Sequence, residues 1–550
     1  MSQTSTTPSR SRWITTLAVG LFLALVAAGA TWWAHHQGYT QYYGDAQAHL
    51  NIARRIVDTR TPGMLQVGTV WLPLPHVLMA PLVKNDELWA NGLAGAIPVS
   101  ICFWTAGMLL FLATRRVLGS SWAALATTCV LAMNPNVLYI QAAPMTEAIF
   151  FAVLAGIFYG CTRFAATQHL GWAIWTAFFA LAGTLTRYDG WFLLPFVAAF
   201  LLWKGQNRRW VATALFCVIA GAGPLWWLAH NWWFWGDPLE FYRGAYSAKA
   251  IYARQLAAGM APYPGDHDYL ESARYFLTAA QLSAGWPLLI AGLLGALALL
   301  PKAPRWPVAL LALPAIFYVE SMHNAGTPIF VPSLWPHAYY NTRYSLALFP
   351  LLCLGVGAWV YWTPPRFRPL SVGILLLACS VPWLLTPGPD SWVIWKESDV
   401  NSRNRRVWLG EAATYMKRLY QPGGGILLSF GDPAGVLQLG GIPLREAIHE
   451  DNHPMYRAAV NKPEFFLWAE WAICQSGDQT CRGMQRAVAR GMLYDRVKVI
   501  RAGNSAPLEI WRRQSEFRES NMTLPRKLLP PLPPMEDNGE ESDEDWDDER

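Results

Sequence analysis

The sequence predicts an α-helical protein that crosses a membrane about eleven times and carries a small α/β domain after its last span. Three observations lead there. The 550 residues are 53% hydrophobic and only 15% charged, with 30 tryptophans, a balance outside the soluble globular range. The apolar residues come in long blocks rather than at amphipathic spacing. Beyond about residue 387 the blocks stop, and short apolar runs alternate with mixed polar sequence.

Runs long enough to cross a bilayer, roughly 17 to 25 residues, lie near 13–34, 90–114, 118–138, 145–162, 171–186, 190–203, 210–235, 285–300, 306–321, 343–362 and 368–387. The runs at 171–186 and 190–203 are short for a crossing. Charge supports the count. Loops on one side hold Arg115, Arg116, Arg163, Lys204, Arg208, Arg209, Lys302, Arg305, Arg366 and Arg368, which makes that side cytoplasmic. The opposite loops are 35–89, 139–144, 187–189, 236–284 and 322–342, and the part after 387 falls on their side. A polar start with Arg10 and Arg12 precedes an apolar run of about 22 residues with aromatic ends. A cleaved signal has a shorter core and a small-residue exit site, so an uncleaved first span with a cytoplasmic N-terminus is expected.

The net charge of +6 is uneven: residues 536–550 hold ten acids and one arginine, a net of −9, which leaves +15 on the rest. Cytoplasmic-loop lysine and arginine account for that excess, so nucleic acid need not be invoked. Three regions follow: a membrane domain over 1–387, an extracytoplasmic α/β domain over 388–525, and a proline-rich linker with a solvated acidic tail over 526–550. In the α/β domain "GILLSF" (425–430), "EFFLWAEW" (464–471), "RVKVI" (496–500) and "LEIWRR" (508–513) read as strands. "PGGG" (422–425) precedes its strand and reads as a turn. Six of the eight cysteines lie in apolar runs; Cys474 and Cys481 lie together on the oxidising side, as a disulfide or as two thiols.

The suggestive polar residues all fall on the outer side, whereas a transporter more often places ionisable groups at mid-bilayer. In "YYGDAQAHLNIARR" (42–55), Asp45 and His49 share a face of a surface helix at i, i+4; Asp45 as helix cap and His49 as interfacial packing is the plain alternative. The segment 61–83 is too broken by Pro and Gly to cross as one helix and suits an interfacial or re-entrant hairpin, with His76 as packing. "APMTEAIFF" (143–151) opens a span with Glu147 in its first turn. "TRYDGW" (186–191) puts Arg187 and Asp189 at one level, and "HAYYNTRYSLALFP" (337–350) enters a span with Arg343 and Tyr344 at its mouth. Arg343 suits either lipid headgroups or a bound phosphate. "APYPGDHDY" with His267 reads as a solvated loop, and "HEDNH" (449–453) lacks the flanking pattern of a metal site.

The order "GDAQAH", "WLPLPHVLM", "MTEAIFF", "LTRYDGW", "NTRYSLALFP" resembles the membrane glycosyltransferases of the GT-C fold, over roughly residues 13–387, and within them the protein O-mannosyltransferase and aminoarabinose-transferase group. The resemblance implies an inverting transfer from a polyprenyl-phosphate sugar to an acceptor hydroxyl at the outer face of a bacterial plasma membrane. It implies Asp45 as general base, Arg343 and then Arg187 on the lipid phosphate, and Glu147 and Asp189 orienting sugar or acceptor, with His49 and Tyr344 beside them. Relatives often have a lysine before a Pro-Pro-Leu element, where this chain has Trp71 and Leu72, and that puts more weight on the arginines. A divalent metal is possible but is not supported by the residues. A transporter or lipid flippase is the main alternative reading, and a noncatalytic scaffold the next.

Overall fold

The computed structural model describes residues 10–514 except 302, 303 and 325; the proline-rich linker and the acidic tail lie outside the described residues. Helices occupy all eleven apolar runs. Six of them are long and apolar enough to cross a membrane, and eight if each of two bent pairs counts as one crossing. Leu170–Thr184, at 15 residues, reaches about 22 Å at 1.5 Å per residue, short of a bilayer core of about 30 Å.

Both bends sit where the sequence breaks a helix. Ser121–Met133 and Pro135–Gln141 meet at 68°, because the Asn134 side chain accepts from Asn136 N and Val137 N and restarts the helix with Pro135 in its first turn. Tyr269–Ala284 and Trp286–Leu299 meet at 115° at Gly285, whose φ is +78°, a conformation that favours glycine. Glycine also permits a close helix crossing. A Cβ on Gly295 would overlap the carbonyl of Gly355, and one on Gly355 that of Gly292, so these backbones touch as small residues allow in membranes. The Glu147–Thr167 helix is 83% buried over its apolar window, against 11% for Pro365–Leu385; the first is the central strut and the second faces lipid.

The segment 61–83 does not cross. It forms a 3-10 turn, Met64–Val67, and a short helix, Leu74–Met79, folded against the surface helix Gly44–Val57.

After the last span a 27-residue helix, Val393–Leu419, leads into a five-stranded sheet of order β2-β1-β3-β5-β4: β1 Ile426–Leu428, β2 Ala447–Ile448, β3 Trp471–Gln475, β4 Tyr494–Ile500 and β5 Leu508–Arg513. β1 is parallel to β2 and β3, while β5 is antiparallel to β3 and β4. The strand expected over 464–471 is corrected: Pro463 starts a helical turn, Pro463–Phe466, as proline does at a first helical position, and the strand begins at Trp471. Cys474 and Cys481 form a disulfide. One hydrophobic core runs from Val19 to Ile510, so the sheet domain is packed onto one end of the bundle. It grips the surface helix and the turns after it through Gln438 on Gln47, Asp451 on Arg55, and His449 on Thr59.

Candidate functional site

Four chain segments bring charge to one point at the end of the bundle that carries the sheet domain. The surface helix begins at Gly44, with Tyr43 in the N-cap position and no side-chain cap. Asp45 is therefore not the cap; it sits in the first turn, where the helix dipole favours a carboxylate, and it accepts a hydrogen bond from Arg343. Glu147 opens the central strut. Asp189 opens the next outer helix, behind a turn in which Gly190 lies so close to the Gly183 carbonyl that a Cβ would overlap it. That closeness presses the Arg187 turn against the bundle. Arg343 follows Asn341, which adopts the left-handed conformation at φ 55° that Asn tolerates.

Arg343 is the hub. Its guanidinium bonds Asp45, lies 3.2 Å from Glu147 Oε1, and donates to Glu397 Oε1 at 3.2 Å. Arg187 donates to Glu147 Oε1 at 3.2 Å, to the Thr146 hydroxyl at 2.5 Å and to the Tyr318 hydroxyl, and lies 3.4 Å from Asp189. Tyr344 and Tyr318 stack at 4.8 Å, and both guanidiniums lie over the Tyr344 ring, at 5.0 Å and 5.3 Å. Six of the residues singled out in the sequence thus form one contact network: Asp45, Glu147, Arg187, Asp189, Arg343 and Tyr344.

The charges do not balance. Two guanidiniums face four carboxylates, Asp45, Glu147, Asp189 and Glu397, so the fully ionised cluster carries −2. Asp45 has 39% of its side chain exposed, against 5% for Glu147 and 2% for Glu397. It is the member that can leave Arg343 without stranding a buried charge.

His49 stands one turn along from Asp45. Its Nδ1 is 2.9 Å from His76 Nε2, and its ring packs on Trp71 at 4.5 Å. Burial pushes its pKa down to about 4, against the pull of Asp45 and Glu147, which makes it a neutral imidazole at ordinary pH. His76 is fully buried and packs against His49. His267 is exposed, in a loop. Among the described residues the one group of three possible metal ligands is Cys474, Asp478 and Cys481, whose two sulfurs are already bonded to each other.

Residues 88–234 match the family model for dolichyl-phosphate-mannose-protein mannosyltransferases. Among solved structures, ArnT from Cupriavidus metallidurans bound to undecaprenyl phosphate superposes with a TM-score of 0.50 at 14% identity, over 92% of this chain and 99% of that one. The same protein in its apo state gives 0.49 at 12% identity, with the same coverage. The chain has the GT-C fold. No curated protein matches. The matched GT-C segment holds Glu147, Arg187 and Asp189, whereas Asp45, His49, Arg343 and Tyr344 lie outside it.

The sequence missed one central residue. Glu397, in the first turns of the Val393–Leu419 helix, accepts from Asn341 N at 3.0 Å, Thr342 N at 2.7 Å and the Thr342 hydroxyl at 2.5 Å, besides Arg343. Burial pushes its carboxyl up, and Arg343 with the Thr342 bonds oppose that push. A lone acid on a polar helix gives no signal in sequence; only the packing of that helix against the GT-C bundle reveals it.

Proposed function

We propose that the chain is a membrane glycosyltransferase that moves a sugar from a polyprenyl-phosphate donor to an acceptor hydroxyl at the extracytoplasmic face, with inversion. One observation carries the reading: Arg343 joins a half-exposed Asp45 to two buried carboxylates at the outer end of a GT-C bundle. The mannosyltransferase family match over residues 88–234 supports the same chemistry, and the basic loops at the opposite ends of the helices support a cytoplasmic N-terminus.

In this reading the donor phosphate exchanges with Asp45 on Arg343, as a bidentate partner of a guanidinium does, and Arg187 stands behind it. Glu147 and Glu397 hold Arg343 in place throughout. The freed Asp45 carboxylate takes the acceptor proton as the acceptor oxygen bonds to the anomeric carbon. The bond from that carbon to the phosphate oxygen breaks, its electron pair stays on the phosphate, and polyprenyl phosphate leaves. Arginine stabilises the developing charge of the leaving group better than an acid would, since a phosphate leaves without needing a proton. Glu147, Asp189, Tyr344 and neutral His49 orient the sugar or acceptor. The test is consumption of a polyprenyl-phosphate sugar by protein in lipid nanodiscs, with release of polyprenyl phosphate as the expected product. Relocation of intact donor across the bilayer would make the chain a flippase instead.

A further inference from the structure

The arginines assigned to phosphate in that reading are already occupied. Arg343 has three carboxylate partners, and Arg187 has two with two hydroxyls. A donor phosphate entering a cluster of charge −2 needs positive charge that is still unspent, and one guanidinium near Asp45 provides it. Arg405, on the Val393–Leu419 helix, has only 11% of its side chain exposed. It donates one hydrogen bond, from Nη2 to the Tyr42 carbonyl at 2.6 Å. Its Nε is buried without a partner, and the nearest carboxylate, Asp432, is 3.8 Å from Nη1 and 47% exposed. A guanidinium so little exposed, with its Nε unused and its one ion pair long, is costly unless something binds it.

Its position is beside Asp45. The Arg405 Nη1 lies where a Cβ on residue 44 would be, at 2.5 Å, so Gly44 is what lets the guanidinium reach the backbone next to Asp45. Residue 44 opens a 14-residue helix whose first turn has no side-chain cap, and an uncapped helix N-terminus presents N–H groups to an anion. Arg343 reaches that turn through Asp45, and Arg405 reaches it over Gly44.

We propose that Arg405 and the first turn of the Gly44–Val57 helix form a phosphate-binding site that takes the phosphate of a lipid-linked substrate. The proposal rests on the glycosyltransferase reading and adds a contribution from the C-terminal domain to the substrate site. In the exchange described above, phosphate oxygens meet Arg405 and the helix amides on one side while Arg343 releases Asp45 on the other.

The test measures binding of undecaprenyl phosphate to the full chain in nanodiscs, with uncharged undecaprenol as control and inorganic phosphate as competitor. R405Q should weaken undecaprenyl phosphate binding about 10- to 100-fold, the effect of losing charge-assisted hydrogen bonds, and leave undecaprenol binding unchanged. G44A keeps the arginine but displaces its flexible end, and should weaken binding in the same direction at an unchanged melting temperature; it decides the matter if R405Q does not fold. Loss of the inorganic-phosphate competition alone, with undecaprenyl phosphate binding unchanged, would overturn the assignment to a lipid-linked substrate and leave a site for another phosphate. Unchanged affinity for both phosphates in variants that melt like the wild type overturns the proposal. If the wild type binds undecaprenyl phosphate through Arg405 but never consumes donor, the glycosyltransferase reading falls and the phosphate site stands; the converse holds if turnover is intact and R405Q leaves the donor KM unchanged.

Discussion

The two ends of the Gly44–Val57 helix carry charge in opposite ways. At its C-terminal end Arg54 pairs with Asp58 and Asp86, each at 2.7 Å, Arg55 pairs with Asp451, and Arg445 reaches Asp58 at 2.9 Å. Three arginines meet three aspartates there. The guanidinium of Arg54 lies over Trp89 and that of Arg55 over Phe430, at 4.6 Å and 4.2 Å. At the N-terminal end two arginines meet four carboxylates, and an exposed aspartate shares its arginine with two buried acids. A balanced, stacked cluster is a joint between domains, whereas an unbalanced one with a displaceable member can exchange that member for a substrate group.

The largest effect should come from breaking the unbalanced end. D45N removes the proposed base and should lower sugar transfer about 10²- to 10⁴-fold, measured as polyprenyl phosphate released per minute. The melting temperature should hardly move, because Asp45 is 39% exposed. Binding of undecaprenyl phosphate should be no weaker, since the variant loses a competitor for Arg343. A D45N protein that still turns over would remove the functional half of the comparison.

The balanced end should respond in stability instead. R55M leaves Asp451 without its partner and should cost about 3 kcal/mol, the lower part of the range for breaking a buried pair, because Asp451 is 21% exposed. The readout is thermal melting in detergent, with turnover per folded molecule retained. Reduced turnover at full stability would make this joint part of the site.

The contrast also explains what could be read from sequence. Each of Glu147, Asp189 and Arg343 stands at or near the start of a helix that is otherwise apolar, and a charge beside an apolar block stands out in sequence. Loop charge then put them on one side. Glu397, Arg405 and Asp451 stand in polar sequence where acids and arginines are ordinary, and their roles exist only through contacts spanning 54 residues from Glu397 to Arg343 and 396 from Arg55 to Asp451. The partner of His76 was not legible, because the Pro- and Gly-broken segment around it has no periodicity to assign a face. The shape of the bundle was legible from block lengths, but the two bends needed the local chemistry of Asn134-Pro135 and Gly285.

The histidine pair beside Asp45 sharpens the comparison through pH. His49 has an ordinary value of 6.5 when unfolded and about 4 when buried, so the unfolded chain binds the extra proton between those values. Its contribution to stability is complete above about 6.5 and is lost as pH falls toward 4, by about 2 to 3 kcal/mol. Unfolding followed from pH 7 to 4.5 should show this fall in the wild type and a shallower one in H49Q, which cannot take up a proton. Equal slopes would mean that His49 is not held neutral.

The smallest effect belongs to the joint and runs the other way. The Glu450 carboxylate accepts from Phe430 N at 2.5 Å. Burial pushes its pKa up to about 7 from 4.5; backbone hydrogen bonds pull it down, and the charges of Asp451 and Asp478 add to the rise. The folded form holds a proton that the unfolded chain has released, so this stabilisation is complete below about pH 4.5 and is lost as pH rises through 7. Part of the side chain meets solvent, which limits the change to about 1 to 2 kcal/mol. Below that pH the joint stays at three arginines to three ionised acids; above it a fourth acid ionises and the balance is gone. Melting temperature should therefore drop by a few degrees between pH 6 and pH 8 in the wild type and much less in E450Q. An equal drop in E450Q would place the titrating group elsewhere, and the joint would then be balanced at every pH at which the protein folds.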